Sequence, residues 1–180
     1  MSAGTRGLVY RLTIKATSPD LETRLSCTET VRSALRSVAV DWGIDGEALA
    51  DLLTVGYELV VNAVKHTPPG WLQAVLHLSP DGDRVIVEVH DLSRRLPHVA
   101  SDALANEVQE SGRGLLMVGG LSVRWGVAAT AGGKRVWAEL ALPAPVPVPV
   151  LTRQARRAYV IADVVRASRL RAAMPSLRAA

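Results

Sequence analysis

The stretch Glu58-Leu59-Val60-Val61-Asn62-Ala63 is the most informative part of the sequence, because it sets a carboxylate and a carboxamide four residues apart in an apolar segment. On a helix, residues four apart share a face, so Glu58 and Asn62 point the same way. The apolar positions that can then face a core are Leu52, Leu59, Val60 and Ala63. A base beside an oxygen donor for a hard cation suits phosphate chemistry. The same pair is also typical of a solvated helix surface, so the rest of the chain decides between the two interpretations.

Two later segments supply that context. Val85-Ile86-Val87-Glu88-Val89-His90 alternates as a strand does and ends in Asp91-Leu92-Ser93. Further along, Ser111-Gly112-Arg113 predicts a glycine-rich turn that opens an apolar helix over Gly114–Leu121. Glycines before a helix let phosphate approach the free backbone N–H groups, so both segments favour a ligand site.

The order Glu-x-x-x-Asn, strand–Asp and Gly-x-Gly–helix resembles the GHKL family of ATPases, with their histidine-kinase-like (Bergerat) nucleotide fold. It is most similar to the small single-domain branch, the anti-sigma factor serine/threonine kinases. The resemblance covers roughly Val31 to Leu142. It implies ATP and Mg²⁺ as cofactors. The expected fold class is α/β, a two-layer sandwich in which a mixed, mainly antiparallel sheet carries helices on one face.

The resemblance also implies roles for the motif residues. Glu58 is the expected catalytic base, and Asn62 is the expected Mg²⁺ ligand, since one neutral oxygen suits an ion that arrives with phosphates. Asp91 is expected to accept a hydrogen bond from the adenine amino group. The expected nucleotide-binding residues are Asn62, Lys65, Asp91, Ser93, Gly112, Arg113, Gly114 and Leu115.

One motif departs from the family pattern. Where the family has Asp-x-Gly-x-Gly, this chain has Asp91-Leu92-Ser93-Arg94-Arg95, without either glycine. Ser93 is still able to turn the chain. The departure keeps open a second interpretation, a non-catalytic nucleotide-binding module that sequesters a protein partner. The presence of Glu58 favours the kinase.

The chain divides into three parts: an ATP-binding domain over residues 8–142, a stiff Pro-rich linker over 143–150, and a basic tail over 151–180 that is predicted to be helical over 152–170. The tail holds seven of the 21 basic residues and one of the 17 acidic ones, so 14 basic and 16 acidic residues remain in residues 1–150. The net charge of +4 therefore belongs to the tail. This distribution argues against a nucleic-acid-binding face on the main domain.

Periodicity predicts the elements of the main domain. Ser18 caps a helix that runs to Trp42, and a second helix covers Asp45–His66. The predicted strands are 10–16, 71–79, 85–90, 123–128 and 134–142. Residues 93–111 form a long polar segment that resembles the lid of the family.

The remaining observations concern the cellular location of the protein and its partners. No apolar run reaches membrane-spanning length and residues 1–6 lack a signal-peptide core, so a cytoplasmic protein is expected. Cys27 is the single cysteine, which excludes an intramolecular disulfide. The resemblance implies two protein partners, a sigma factor and a small anti-sigma factor antagonist that is phosphorylated on serine. Direct nucleic-acid binding and membrane binding are not expected, and a homodimer is left open.

Overall fold

A computed structural model describes residues 7–95, 110–147 and 160–161, with the backbone alone at 110–113 and 160–161. Its elements are β1 (Leu8–Ala16), α1 (Leu21–Leu25), α2 (Cys27–Asp41), α3 (Gly46–His66), β2 (Gly70–Leu78), β3 (Arg84–Asp91), α4 (Glu110–Leu121), β4 (Arg124–Thr130), β5 (Gly133–Ala141) and β6 (Val160–Ile161). None of these helices has both the length and the apolar character needed to cross a membrane. Most of the expected lid lies outside the described residues.

The described strands form one six-stranded sheet in the order β4-β5-β3-β2-β1-β6. Each described pairing is antiparallel, and the core lies between the sheet and the helices. The two-layer α/β prediction with a mainly antiparallel sheet is therefore confirmed, and the described pairings contain no parallel one.

Strand β3 shows how alternation fixes the two faces of the sheet. Val85, Val87 and Val89 are buried in the core, whereas Glu88 and His90 alternate with them and so point to the opposite face. Across the sheet, Val87 pairs with Leu76 of β2 and with Ala138 of β5, both of which are also fully buried. The helix-facing side of the sheet is thus an aliphatic layer, as the sequence alternation predicts.

Helix α3 carries the Glu58–Asn62 stretch and packs closely on its neighbours. A Cβ at Gly56 would lie 2.8 Å from the Leu35 Cδ1 atom of α2 and 3.8 Å from the Val87 Cγ2 atom of β3. The missing side chain therefore allows α3 to wedge between α2 and the sheet. The helix begins within one residue of the predicted start and ends at His66 as predicted.

The first helical segment differs from the prediction of one helix capped by Ser18. The N-cap is Asp20, whose side chain accepts a hydrogen bond from the backbone N–H of Thr23, and α1 ends after five residues. Ser26 then donates its hydroxyl to the Thr23 carbonyl, at 2.7 Å. Ser26 alone separates α1 from α2, and its backbone stays in the right-handed helical region.

The tail also differs at the two residues that the structure describes there. Val160 and Ile161 form β6, which pairs with Val9 and Leu8 of β1, so the prediction of helix is wrong at these positions. Both residues are β-branched, and an edge strand offers unpaired backbone groups to such a segment. The rest of the 151–180 tail lies outside the described residues.

The sheet face opposite the core helices carries a charged cluster around Glu88. The nearest cationic or polar atoms are His90 Nε2 at 3.0 Å, His77 Nε2 at 3.6 Å and Arg135 Nη1 at 3.7 Å. Burial alone would raise the pKa of Glu88. The two histidines and the arginine outweigh burial and hold that pKa well below its ordinary range.

Candidate functional site

A cleft of about 790 Å³ opens where the last turn of α3 meets the ends of β3 and β5. It is lined by Leu59, Asn62, Ala63, Lys65, His66, Thr67, Pro68, Asp91, Leu92, Ser93, Arg94, Arg95, Leu115, Lys134 and Val136. The volume lies within the usual range for small-molecule and cofactor sites. Five of the sequence-predicted residues are in this lining: Asn62, Lys65, Asp91, Ser93 and Leu115.

Asp91 ends β3 on the floor of the cleft and is 3% exposed. Its Oδ1 atom accepts hydrogen bonds from the backbone N–H of Ser93, at 2.7 Å, and from Lys134 Nζ, at 2.9 Å. Its Oδ2 atom is buried and has no hydrogen-bond partner among the described residues. An unpaired buried acceptor costs free energy unless a ligand satisfies it. Oδ2 is therefore suited to accept a hydrogen bond from the amino group of a ligand in the cleft.

The chain turns at Ser93 without the two glycines of the family pattern. The side chain of Asp91 accepts from the Ser93 N–H, and Ser93 Oγ accepts from the backbone N–H of Arg95, at 3.2 Å. Each side chain thus bonds the backbone two residues ahead, a conformation typical of Asx and ST turns. Side-chain hydrogen bonds stabilise this turn, whereas the family pattern relies on the conformational freedom of two glycines.

Lys134 is a cleft residue that the sequence analysis did not single out. It pairs with Asp91 in the β3–β5 register and is 4% exposed. Its neighbour Gly133 has no room for a side chain, since a Cβ there would collide with the Asp91 carbonyl oxygen and lie 2.7 Å from Leu92 Cα. The only sequence signal was the Gly132-Gly133 pair before the closing strand. Identifying the partner of Lys134 required the strand register.

Glu58 and Asn62 lie one turn apart on α3, as the sequence predicted, and both face α4. A Cβ at Gly114 would collide with Glu58 Oε2 and lie 3.7 Å from Asn62 Nδ2, so Gly114 allows α4 to pass close to the pair. Asn62 Nδ2 is buried and has no hydrogen-bond partner among the described residues. Asn62 lines the cleft, whereas the half-buried Glu58 and Gly114 are not in the described lining.

Helix α4 begins earlier than predicted. It starts at Glu110, so Gly112 and Gly114 lie inside its first turns and not in a turn ahead of it. Glycine inside a helix costs about 1 kcal/mol relative to alanine, and the contact with Glu58 gives Gly114 a packing reason to be there. The backbone alone is described at Gly112 and Arg113, so their phosphate-binding roles stay predictions. Leu115 lines the cleft as an apolar contact.

The remaining basic side chains of the cleft are exposed at its mouth. Lys65 and His66 are exposed in the last turn of α3, and Arg94 and Arg95 are exposed after β3. Lys65 and the two arginines give the mouth a positive charge that suits an anion such as a polyphosphate. His66 was given no role from the sequence, and its position at the cleft comes from the structure alone.

The polar side chains of the cleft suit the expected cofactors. The described residues contain no group of three or more His, Cys, Asp or Glu side chains able to hold a metal ion. Mg²⁺ bound with a nucleotide keeps waters and phosphate oxygens and takes only one or two protein ligands. Asn62 lines the cleft, and its amide oxygen is the kind of ligand that fits this role. The Asp91 Oδ2 atom, which has no partner among the described residues, fits an adenine amino group.

Comparison with known proteins identifies the family of this chain. Residues 21–140, more than half of the chain, match a family model described as "Histidine kinase-like ATPase domain". A comparison with curated proteins gave no match. The matched family implies ATP binding, usually with Mg²⁺, and its range includes α3, Asp91 and Lys134. The chain therefore belongs to the histidine kinase-like ATPase domain family, in the GHKL superfamily.

Proposed function

We propose that this protein is an ATP-dependent serine/threonine protein kinase of the anti-sigma factor type. In this proposal it phosphorylates a serine of a small antagonist protein and sequesters a sigma factor, and it acts in the cytoplasm. The observation that carries the nucleotide part is the buried Oδ2 atom of Asp91 on the cleft floor, which has no hydrogen-bond partner within the described part of the chain. The kinase part rests on the carboxylate of Glu58 one helical turn from Asn62.

The proposed transfer assigns one task to each group. The serine oxygen of the antagonist bonds to the γ-phosphorus, the bond to the bridging oxygen breaks, and ADP leaves. Glu58 accepts the hydroxyl proton, a contribution of about a hundredfold to ten-thousandfold. Asn62 would hold Mg²⁺, which neutralises phosphate charge. Lys65 supplies a further cation at the cleft mouth.

A non-catalytic module that binds nucleotide and sequesters a partner is the second candidate. The position of Glu58 favours it, because the carboxylate lies against α4 at Gly114 and is not in the described lining of the cleft. In that candidate, Glu58 contributes to packing and the nucleotide only orders the binding surface. The two candidates make different predictions for the loss of Glu58.

The test is phosphoryl transfer from labelled ATP to candidate antagonist proteins, with calorimetry of ATP binding on the same samples. Glu58→Ala should reduce transfer at least a hundredfold while ATP binding changes little, since the base touches the hydroxyl and not the nucleotide. Asn62→Ala should weaken Mg²⁺ and ATP binding together. Glu47→Ala is the matched control, because Glu47 is an exposed acid in the first turn of α3, far along the same helix from Asn62.

Three outcomes separate the candidates. Transfer by the unsubstituted protein that Glu58→Ala abolishes supports the kinase. ATP binding without transfer to any antagonist, with Glu58→Ala unchanged in partner binding, supports the module. Loss of ATP binding in a folded Glu58→Ala variant would instead make Glu58 part of the nucleotide or metal shell, and would overturn its proposed role as base.

A further inference from the structure

The Asp91–Lys134 pair leaves hydrogen-bonding capacity unused in the cleft. An ammonium group carries three donors, and the only hydrogen bond of Lys134 Nζ among the described residues is to Asp91 Oδ1. Asp91 Oδ2 is buried without a partner there. Both residues line the cleft, and their side chains are almost fully buried. A donor and an acceptor, linked through Oδ1, thus lie together at the cleft floor.

A purely structural ion pair does not account for this arrangement. Removing two charges from water costs more free energy than a pair usually returns, unless the remaining donors and acceptors are also satisfied. Here Asp91 Oδ2 is not satisfied within the described protein, and the pair is buried beside a cleft and not inside the apolar core. Such a pair is completed by a ligand that offers one donor and one acceptor side by side.

The Watson–Crick edge of adenine has that pattern, with the N6 amino group as donor and N1 as acceptor. We propose that Lys134 is a second base-reading residue, whose Nζ donates to adenine N1 while Asp91 Oδ2 accepts from the N6 amino group. This inference rests on the proposed ATP binding and adds a specificity-determining residue to it.

The pair also gives a reason for discrimination against guanine. Guanine has an oxygen acceptor at position 6 and an N–H donor at position 1, which is the reverse of adenine. A base held in the same place would set O6 against the Asp91 carboxylate and N1–H against the Lys134 ammonium. Both contacts would then be repulsive, so GTP should bind far more weakly than ATP.

The strand register fixes the spacing of the two reading groups. Asp91 and Lys134 are direct cross-strand partners at the last pair of β3 with β5, and the missing Gly133 side chain lets the strands approach there. Because both groups stand on paired strands of the central sheet, their separation does not depend on a loop. Rigid positioning of this kind is what selective base recognition requires.

Nucleotide analogues test the inference on the unsubstituted protein by calorimetry with Mg²⁺. The 1-deaza analogue of ATP lacks the N1 acceptor and should bind about tenfold to a hundredfold more weakly than ATP, since it leaves a charged donor unpaired. The 7-deaza analogue is the matched control, because it loses a different ring nitrogen, and it should bind as ATP does. Purine riboside triphosphate, which lacks the amino group, reports on Asp91 separately.

Variants of Lys134 test whether the weaker binding of the 1-deaza analogue depends on this lysine. In Lys134→Met, ATP and the 1-deaza analogue should bind with equal affinity, because no donor to N1 remains. Lys134→Arg keeps a donor and a charge, and serves as the second variant if the methionine variant fails to fold. It should retain a preference for ATP over the 1-deaza analogue. Lys15→Gln, on an exposed lysine of β1, should retain the full discrimination.

The outcomes distinguish this inference from the proposed function. Equal binding of ATP and the 1-deaza analogue, with the amino-lacking analogue weakened, would overturn the role of Lys134 and leave Asp91 as the reader. Equal binding of ATP, GTP and the amino-lacking analogue, or no binding of any of them, would overturn the adenine site itself. Tighter binding of GTP than ATP would overturn both the role of Lys134 and the adenine site.

Discussion

Asp91 shows how one side chain serves both the local structure and the site. One carboxylate oxygen holds the turn to Ser93 and the ammonium of Lys134, and the other oxygen has no partner in the described protein. The division is physical: an acceptor used for the fold is unavailable to a ligand, and an unused buried acceptor is costly unless a ligand pairs with it. A partly satisfied residue of this kind is stronger support for a site than a position in a motif.

Gly114 gives a prediction at the scale of one residue. Gly114→Ala should lower phosphoryl transfer more than stability, because its methyl group meets Oε2 at the flexible end of the Glu58 side chain and displaces that carboxylate. The free energy of unfolding should change by no more than about 1 kcal/mol, since alanine favours the helix. Gly120→Ala on the same helix is the control, since nothing lies within 4 Å of its added methyl group. It should leave transfer unchanged and be neutral or stabilise by up to about 1 kcal/mol. Equal transfer by the two variants would show that the contact with Gly114 does not position Glu58.

At the scale of elements, the paired ends of β3 and β5 position the site. Gly133→Ala should lower both stability and ATP affinity, because its methyl group collides with the Asp91 carbonyl and spreads the two strands. Gly132→Ala is the control, since its methyl group meets nothing within 4 Å. Thermal melting and ATP titration of both variants measure the effects. A Gly133→Ala protein that binds ATP like the control would mean that the strand separation does not set the site geometry.

The opposite face of the same strand gives a prediction about pH. The pKa of Glu88 is held far below its ordinary value in the folded protein. At pH values between the folded and the unfolded pKa, the unfolded chain therefore binds a proton at Glu88 that the folded protein does not. Its stabilising contribution is therefore complete above the unfolded pKa, about 4.3, and is lost as pH falls through the folded pKa. Glu88→Gln should cost about 1.5 to 3 kcal/mol at pH 7. The difference in unfolding free energy should shrink below about pH 4, and a difference independent of pH would contradict the assignment.

Across the whole molecule, the sequence predicted the features that local interactions determine and missed those that depend on residues far apart in the chain. The bounds of α3 follow from local periodicity, and were predicted to within one residue. Alternation similarly predicted β3 and its two faces. The Lys134–Asp91 pair depends on a cross-strand register between residues 43 apart in the chain, and β6 depends on an open edge of β1. Neither leaves a periodic signal, so local sequence patterns could not reveal them.

The binding of an adenine nucleotide through Asp91 underlies every role proposed for the cleft. It is tested by calorimetric titration of MgATP and MgGTP into the unsubstituted protein and Asp91→Asn, with Asp81→Asn on an exposed turn as control. We expect micromolar to millimolar binding of ATP, weaker binding of GTP, and at least a tenfold loss of ATP affinity for Asp91→Asn but not for the control. Equal affinity for ATP and GTP, or an Asp91→Asn protein that is folded and binds ATP unchanged, would contradict it.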